Sequence, residues 1–281
     1  MNSSFLKRFF ISSSILTVIL LSAAPLEYIP RNATGRGQID FAKFVKLPIF
    51  EDPVSKINAA LKELGLSADD LHGKIAFGIT AFPGEAKARF DFVAEFAQPI
   101  AKQFFDEVYK SDSKSPLKKI KVGNATGYQA KDYRVLLYGK HLLVFQGLLD
   151  ANLPYADLKP SPLNARDKAL ITNTAFAEAN LAALMPVLAR NEHITPQLIT
   201  FAENIHRATL VVNPTRDNGV KFDLTFSHIT PEACQASQLL VTMTLDMLKS
   251  NSPQAIPDPV ITINGNDLKV SVIFPASFLK K

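Results

Sequence analysis

One cysteine, Cys234, stands in 281 residues, so an intrachain disulfide framework is excluded and there is no CxxC pair to hold zinc or an iron–sulfur cluster. Tryptophan is absent, which leaves 20 phenylalanines to supply most of the aromatic packing. Neither GxGxxG nor GxxxxGK occurs, so no phosphate-cradling loop is written in the chain. GxSxG is missing as well, which removes the nucleophile elbow of serine hydrolases. No HExxH is present to set two histidines on one helical face for a metal. No apolar run reaches the roughly 20 residues of a bilayer-spanning helix.

Apolar residues make up 47% and charged residues 20%, the balance of a globular protein rather than a disordered one. The formal charge is +5; without Lys7 and Arg8, 29 basic side chains face 26 acidic ones, a charge of +3. Nucleic-acid binding calls for a dense basic surplus, and the one dense stretch is "KSDSKSPLKKIK", residues 110 to 121. It has five lysines, no arginine and no interleaved aromatic, which fits a solvated loop and an edge strand guarded by lysine. No nucleic-acid partner is expected.

The N-terminus carries the clearest address. "MNSSFLKRFFISSSILTVILLSAA" orders two bases, an apolar run from Phe9 and a small-residue end at Ser22, Ala23 and Ala24, the layout of a secretory signal. Residues 1–24 are expected to be a signal peptide cleaved after Ala24. Pro25 at the first mature position keeps an uncleaved signal anchor open, with residues 9–24 holding the chain at the inner membrane. No cysteine follows the run, so lipid modification there is not supported. Residues 25–51 read as a tether.

Beyond it, Asp52 and Pro53 open a helix with Val54, Ile57, Leu61 and Leu64 on one side, ended by Gly65. "KIAFGITAF" and "AKARFDFVAEF" form a hairpin, with Ala88, Phe90 and Phe92 alternating against Lys87, Arg89 and Asp91. A helix over 99–110, short strands near 117–123 and 126–130, and a hairpin about Gly139 and Lys140 follow. Residues 148–194 read as a proline-rich connector containing a helix over "NTAFAEANLAALMPVLARN". From 195 the order repeats: helix, the hairpin "ATLVVN" and "VKFDLTF", a helix opened by Thr230 and Pro231, and a hairpin near Asn264 and Gly265. Phe90 and Leu224 lie 134 residues apart at matching hairpin positions. The expected fold class is therefore α+β: a tandem duplication of a helix-hairpin-helix-strands unit, residues 52–147 and 195–281, with antiparallel sheet and helices on one face.

Two groupings hold chemistry-bearing residues. His228 and Cys234 flank Glu232 at a strand-to-helix junction, where a helix N-terminus lowers a thiol pKa and a histidine serves as base. The competing reading makes Cys234 a small core residue in line with Val241 and Leu245. Glu203 and His206 are three apart on an expected helix, and His193 is a candidate third ligand for a metal. With neither grouping matching a known catalytic spacing, no cofactor is expected. The reading that emerges is an exported, non-enzymatic protein of the periplasm, envelope or cell surface, acting by binding or assembly with an envelope protein or polymer. The alternatives are an exported enzyme or small-ligand carrier with a pocket between the repeats, and a membrane-anchored partner of a larger machine. No named family is reached.

Overall fold

The computed structural model describes residues 25–47, 73–82, 87–96, 117–139, 141–150, 152–156, 159–189, 196–251 and 257–279. The expected signal, the helices over 52–64 and 99–110, His72 and His193 lie outside the described residues.

Among the described residues, twelve strands join in one antiparallel sheet. In chain order they are β1 (Gly35–Asp40), β2 (Lys74–Ala81), β3 (Ala88–Glu95), β4 (Lys118–Val122), β5 (Ala125–Gln129), β6 (Tyr133–Tyr138) and β7 (Leu142–Leu148), then β8 (Ala175–Ala179), β9 (Ile205–Pro214), β10 (Val220–His228), β11 (Val260–Asn264) and β12 (Asp267–Phe274). Their order across the sheet is β11-β12-β10-β9-β8-β1-β2-β3-β7-β6-β5-β4. The helices are α1 (Phe41–Phe44), α2 (Ala165–Leu170), α3 (Leu181–Leu188), α4 (Pro196–Glu203), α5 (Pro231–Asn251) and α6 (Ala276–Leu279), with a 3-10 turn at Pro25–Tyr28. Only α5 is long.

This corrects the expected fold class. The chain is mostly sheet, and it is not a repeated helix-hairpin-helix unit with helices on one face. One cause is that segments reading as tether or helix are strands at the centre. "GRGQID" is β1, which pairs with β2 on one side and β8 on the other and so makes one sheet of what would be two. "AFAEA" is β8, although alanine favours helix. Ladders on both sides, to β1 and β9, outweigh that preference.

The second cause is that cover lies on both faces. The face bearing Arg36, here the front, is packed over the first half of the chain by Leu26, Ile29, Ala156, Leu163 and Leu170 on Ala76, Val93, Val144 and Leu136. The back face holds Phe41 against Ile75, Ala94, Val135 and Leu143. Further along the back face, Leu47 meets Ala175, Val212 and Val220. There α5 lies on β10, β12 and β11, with Cys234, Val241 and Leu245 against Leu268 and Val270. The front of β9 to β12 instead carries Lys221, Asp223, Thr225, Lys269 and Ser271, as a wet face should. Gly37 leaves the back of β1 open for the Phe77 ring; a Cβ there would sit 2.3 Å from its tip, so only glycine fits.

One register row on the front face is polar across the whole sheet. It runs Thr262, Lys269, Thr225, Thr209, Glu178, Arg36, Gly78, Asp91, Gln146, Arg134, Gln129, Lys118, one residue per strand. Its interior members bond along the row. Arg36 Nη2 donates to Glu178 at 2.7 Å and also pairs with Asp167 of α2. Gln146 donates to Asp91, and Arg134 Nε donates to Gln146 Oε1 at 2.7 Å. Asp91 also accepts from Arg89, which reaches Thr80. Gly78 is the one member without a side chain, and Ile29 fills its place. Because strand side chains alternate, a one-residue slip would move this buried row to the other face.

Replacing Gln146 with leucine roughly keeps the volume but removes the buried bonds that Gln146 makes to Asp91 Oδ1 and Arg134 Nε. Urea unfolding of Gln146→Leu is expected to show a loss of about 3 kcal/mol, and a loss under about 1 would deny the row its role. The Glu178 carboxyl adds a pH signature. Burial pushes it up, but hydrogen bonds and charge from Arg36, with Arg166, outweigh this and hold it below the ordinary 4.5. A lowered folded-state pKa gives stability that is present above the ordinary value and lost as pH falls through the folded one. Wild type should therefore lose more stability than Glu178→Gln between neutral pH and acid below 4.5, and parallel pH curves would contradict this.

Candidate functional site

The junction of β10 and α5 is built by its caps. Thr230 Oγ1 accepts from the Ala233 amide at 3.2 Å and Pro231 occupies the first turn, so the helix starts where its sequence signals it. His228 ends β10 with no exposed surface. Its Nδ1 lies 3.2 Å from the Asn266 carbonyl, which can only accept, so Nδ1 carries the proton. Nε2 then accepts from the Ser237 hydroxyl at 2.7 Å. Ser237 was not singled out in the sequence; it sits on the inner side of α5, three residues after Cys234, at the helical spacing that would have revealed it.

This Ser-His pair has the atoms of a nucleophile and a base, bonded to each other inside the protein. Both residues are buried and both ring nitrogens are engaged. Cys234 is fully buried against Leu268 and Val270. Burial raises its thiol pKa and the nearby Asp267 carboxylate adds to the rise, the reverse of an activated thiolate. The side chains of the junction pack between α5 and the sheet.

Glu203 and His206 do not share a helix. Glu203 ends α4, Asn204 turns, and His206 lies on β9. The helix stops because Ile205, fully buried, pairs with His228 at a bulge in the β9–β10 ladder. Among the described residues no three of His, Cys, Asp and Glu gather as metal ligands.

What the junction does present is the other side of α5. Ala236, Leu239, Leu240, Met243 and Met247 recur at helical spacing and point away from the sheet. Leu239, Met243 and Met247 keep 63%, 60% and 62% of their surface exposed, and Leu240 keeps 44%. Ile229, 60% exposed, adds to the patch just before the helix. The helix is thus apolar on two opposite sides, one filled by the sheet and one bare. Glu232, Asp246 and Lys249 are its only charges. Sequence periodicity had marked only the inner side. No helix among the described residues is long and apolar enough to cross a membrane.

Elsewhere, Arg134 stacks over the Tyr155 ring at 4.5 Å and donates to the Ala156 carbonyl, closing the buried end of the polar row. Burial, opposed by Arg134 and aided by Asp132, pushes the Tyr155 hydroxyl up to about 12. Gln38 Oε1, between Ala76 and Phe176, is buried without a partner. These groups lie under packed chain.

Among the described residues the fold is a single long antiparallel sheet with one long helix at the end near β11. Solved structures share it: crystal form III of TP0453 matches with a TM-score of 0.56 at 14% identity, over 92% of this chain and 96% of that chain. Form I matches at 0.53 and 15%, over 92% and 95%, and form IV at 0.53 and 14%, over 89% and 93%. At such identity the likeness is one of fold. No family model matches the sequence, and no curated protein matches it.

Native protein treated with a thiol reagent should label at Cys234 only as fast as it unfolds, and at full rate in denaturant. Rapid labelling of the folded chain would restore the reactive-thiol reading.

Proposed function

We propose that this is an exported, non-enzymatic protein that acts by binding, and that the outer side of α5 is its contact surface. The observation that carries the proposal is the bare stripe of Leu239, Leu240, Met243 and Met247 on a helix whose inner side is already packed. Covering such side chains contributes about 1 to 2 kcal/mol each, so a monomer gains nothing by leaving four together in water. Methionine suits a surface that adapts to its partner. The signal-like residues 1–24 support the exported location.

The charges of α5 bear on what covers it. Amphipathic helices that lie on anionic bilayers carry lysine and arginine along their polar side. Here two acids face one lysine, which favours an apolar protein surface in the envelope over an anionic lipid surface. The buried His228, Ser237 and Cys234 weigh against the enzyme reading.

The test compares exported wild type with Leu239→Ser/Met243→Ser. Wild type is expected to sediment with the envelope fraction and the double variant to stay soluble, with the thermal midpoint the same for both. Binding of wild type to vesicles of neutral phospholipid would assign the stripe to lipid instead. Equal sedimentation of both proteins would remove α5 as the contact.

A further inference from the structure

The two ends of the sheet differ. The β4 edge shows Lys118, Lys119 and Lys121 to solvent, the ordinary guard against strand addition. The β11 edge, "VITIN", has no charge, and Val260 and Ile263 are 63% and 38% exposed. It is held in place from behind by α5 and by the bond from Lys249 to Asp258 at its entry.

The hairpin register shows which backbone groups β11 offers. Asn264 pairs with Asp267 across the two-residue turn Gly265-Asn266, where Gly265 takes φ 61. The pair flanking such a turn exchanges both hydrogen bonds, and bonded and non-bonded pairs then alternate along the ladder. Asn264, Thr262 and Val260 therefore bond inward to β12, and Ile261 and Ile263 point their N–H and C=O groups outward. Pro259, next in that outward series, has no N–H to give. The open edge is two residues long in hydrogen-bonding terms.

We infer that β11 pairs with β11 of a second copy of this chain, antiparallel about a two-fold axis at Thr262. In that register Ile261 of one copy opposes Ile263 of the other, and the converse, so every outward donor meets an outward acceptor in four hydrogen bonds. Thr262 opposes its own copy, and Val260 opposes Asn264. No like charges meet, because the strand has none. The same symmetry at β4 would set three lysines against three lysines. Pro259 and the turn end the pairing on both sides, which closes the assembly at two copies. The surface is separate from the outer stripe of α5, so the two proposals fail independently.

Self-facing Thr262 residues form a non-hydrogen-bonded pair with Cα atoms about 4.5 Å apart, within reach of a disulfide. Thr262→Cys under mild oxidation is expected to give a cross-linked dimer, while Thr225→Cys, on the front face of β10, stays monomeric. Sedimentation of wild type across a dilution series should show monomer and dimer only. Ile263→Pro, which removes an outward donor and leaves the inner ladder whole, should lower the dimer fraction severalfold with an unchanged circular dichroism spectrum. A chain that stays monomeric and uncross-linked at every concentration overturns the inference. So does a dimer that survives Ile263→Pro, or a series of masses growing beyond two copies.

Discussion

The structure depends on the register of one row of side chains. The twelve strands described contribute one residue each to a polar line that is buried in its middle and wet at both ends. The Glu178, Arg36, Asp167 group and the Asp91, Gln146, Arg134 group lie on either side of Gly78, where Ile29 closes the line. Buried charges are tolerable here because each finds a partner in this one register. β1 then acts as the joint: its Gly37 accepts the Phe77 ring behind, and its Arg36 reaches β8 and α2 in front.

A rigid sheet of this length decides where packing stops. Chain segments cover both faces over the first seven strands, but beyond β8 the only long cover among the described residues is α5 on the back. A helix alone on a sheet shows one whole side to solvent, and that side would normally be polar. In α5 it is leucine and methionine, while the histidine, serine and cysteine that carry reactive chemistry face inward. The reactive side chains are thus in the core and a set of apolar ones is on the surface.

The alternating strands were legible from period two: Phe90 and Phe92 against Arg89 and Asp91, and Phe222 and Leu224 against Lys221 and Asp223; which face of β3 is wet was not, since Arg89 and Asp91 are buried and Phe90 is exposed. So was the start of α5, since Thr230 and Pro231 are local signals. The central strands were not. "GRGQID" has glycine where an inward side chain would declare the strand, and "AFAEA" has alanine on one face, so neither shows contrast. Their identity comes from neighbours distant in sequence. The duplicated helix-hairpin-helix reading failed for a related reason, because matching hairpins do not fix which face their connections cover. At the candidate site the sequence named His228 and Cys234 and offered core packing for Cys234, but it showed neither the burial of His228 nor the apolar outer side of α5.

A photo-cross-linking residue at position 243, with the same residue at position 225 on the polar front face as control, tests the binding role most directly in cells that export the protein. The account predicts one discrete envelope adduct from position 243 and none from 225. No adduct from 243, or the same adducts from both positions, would contradict it.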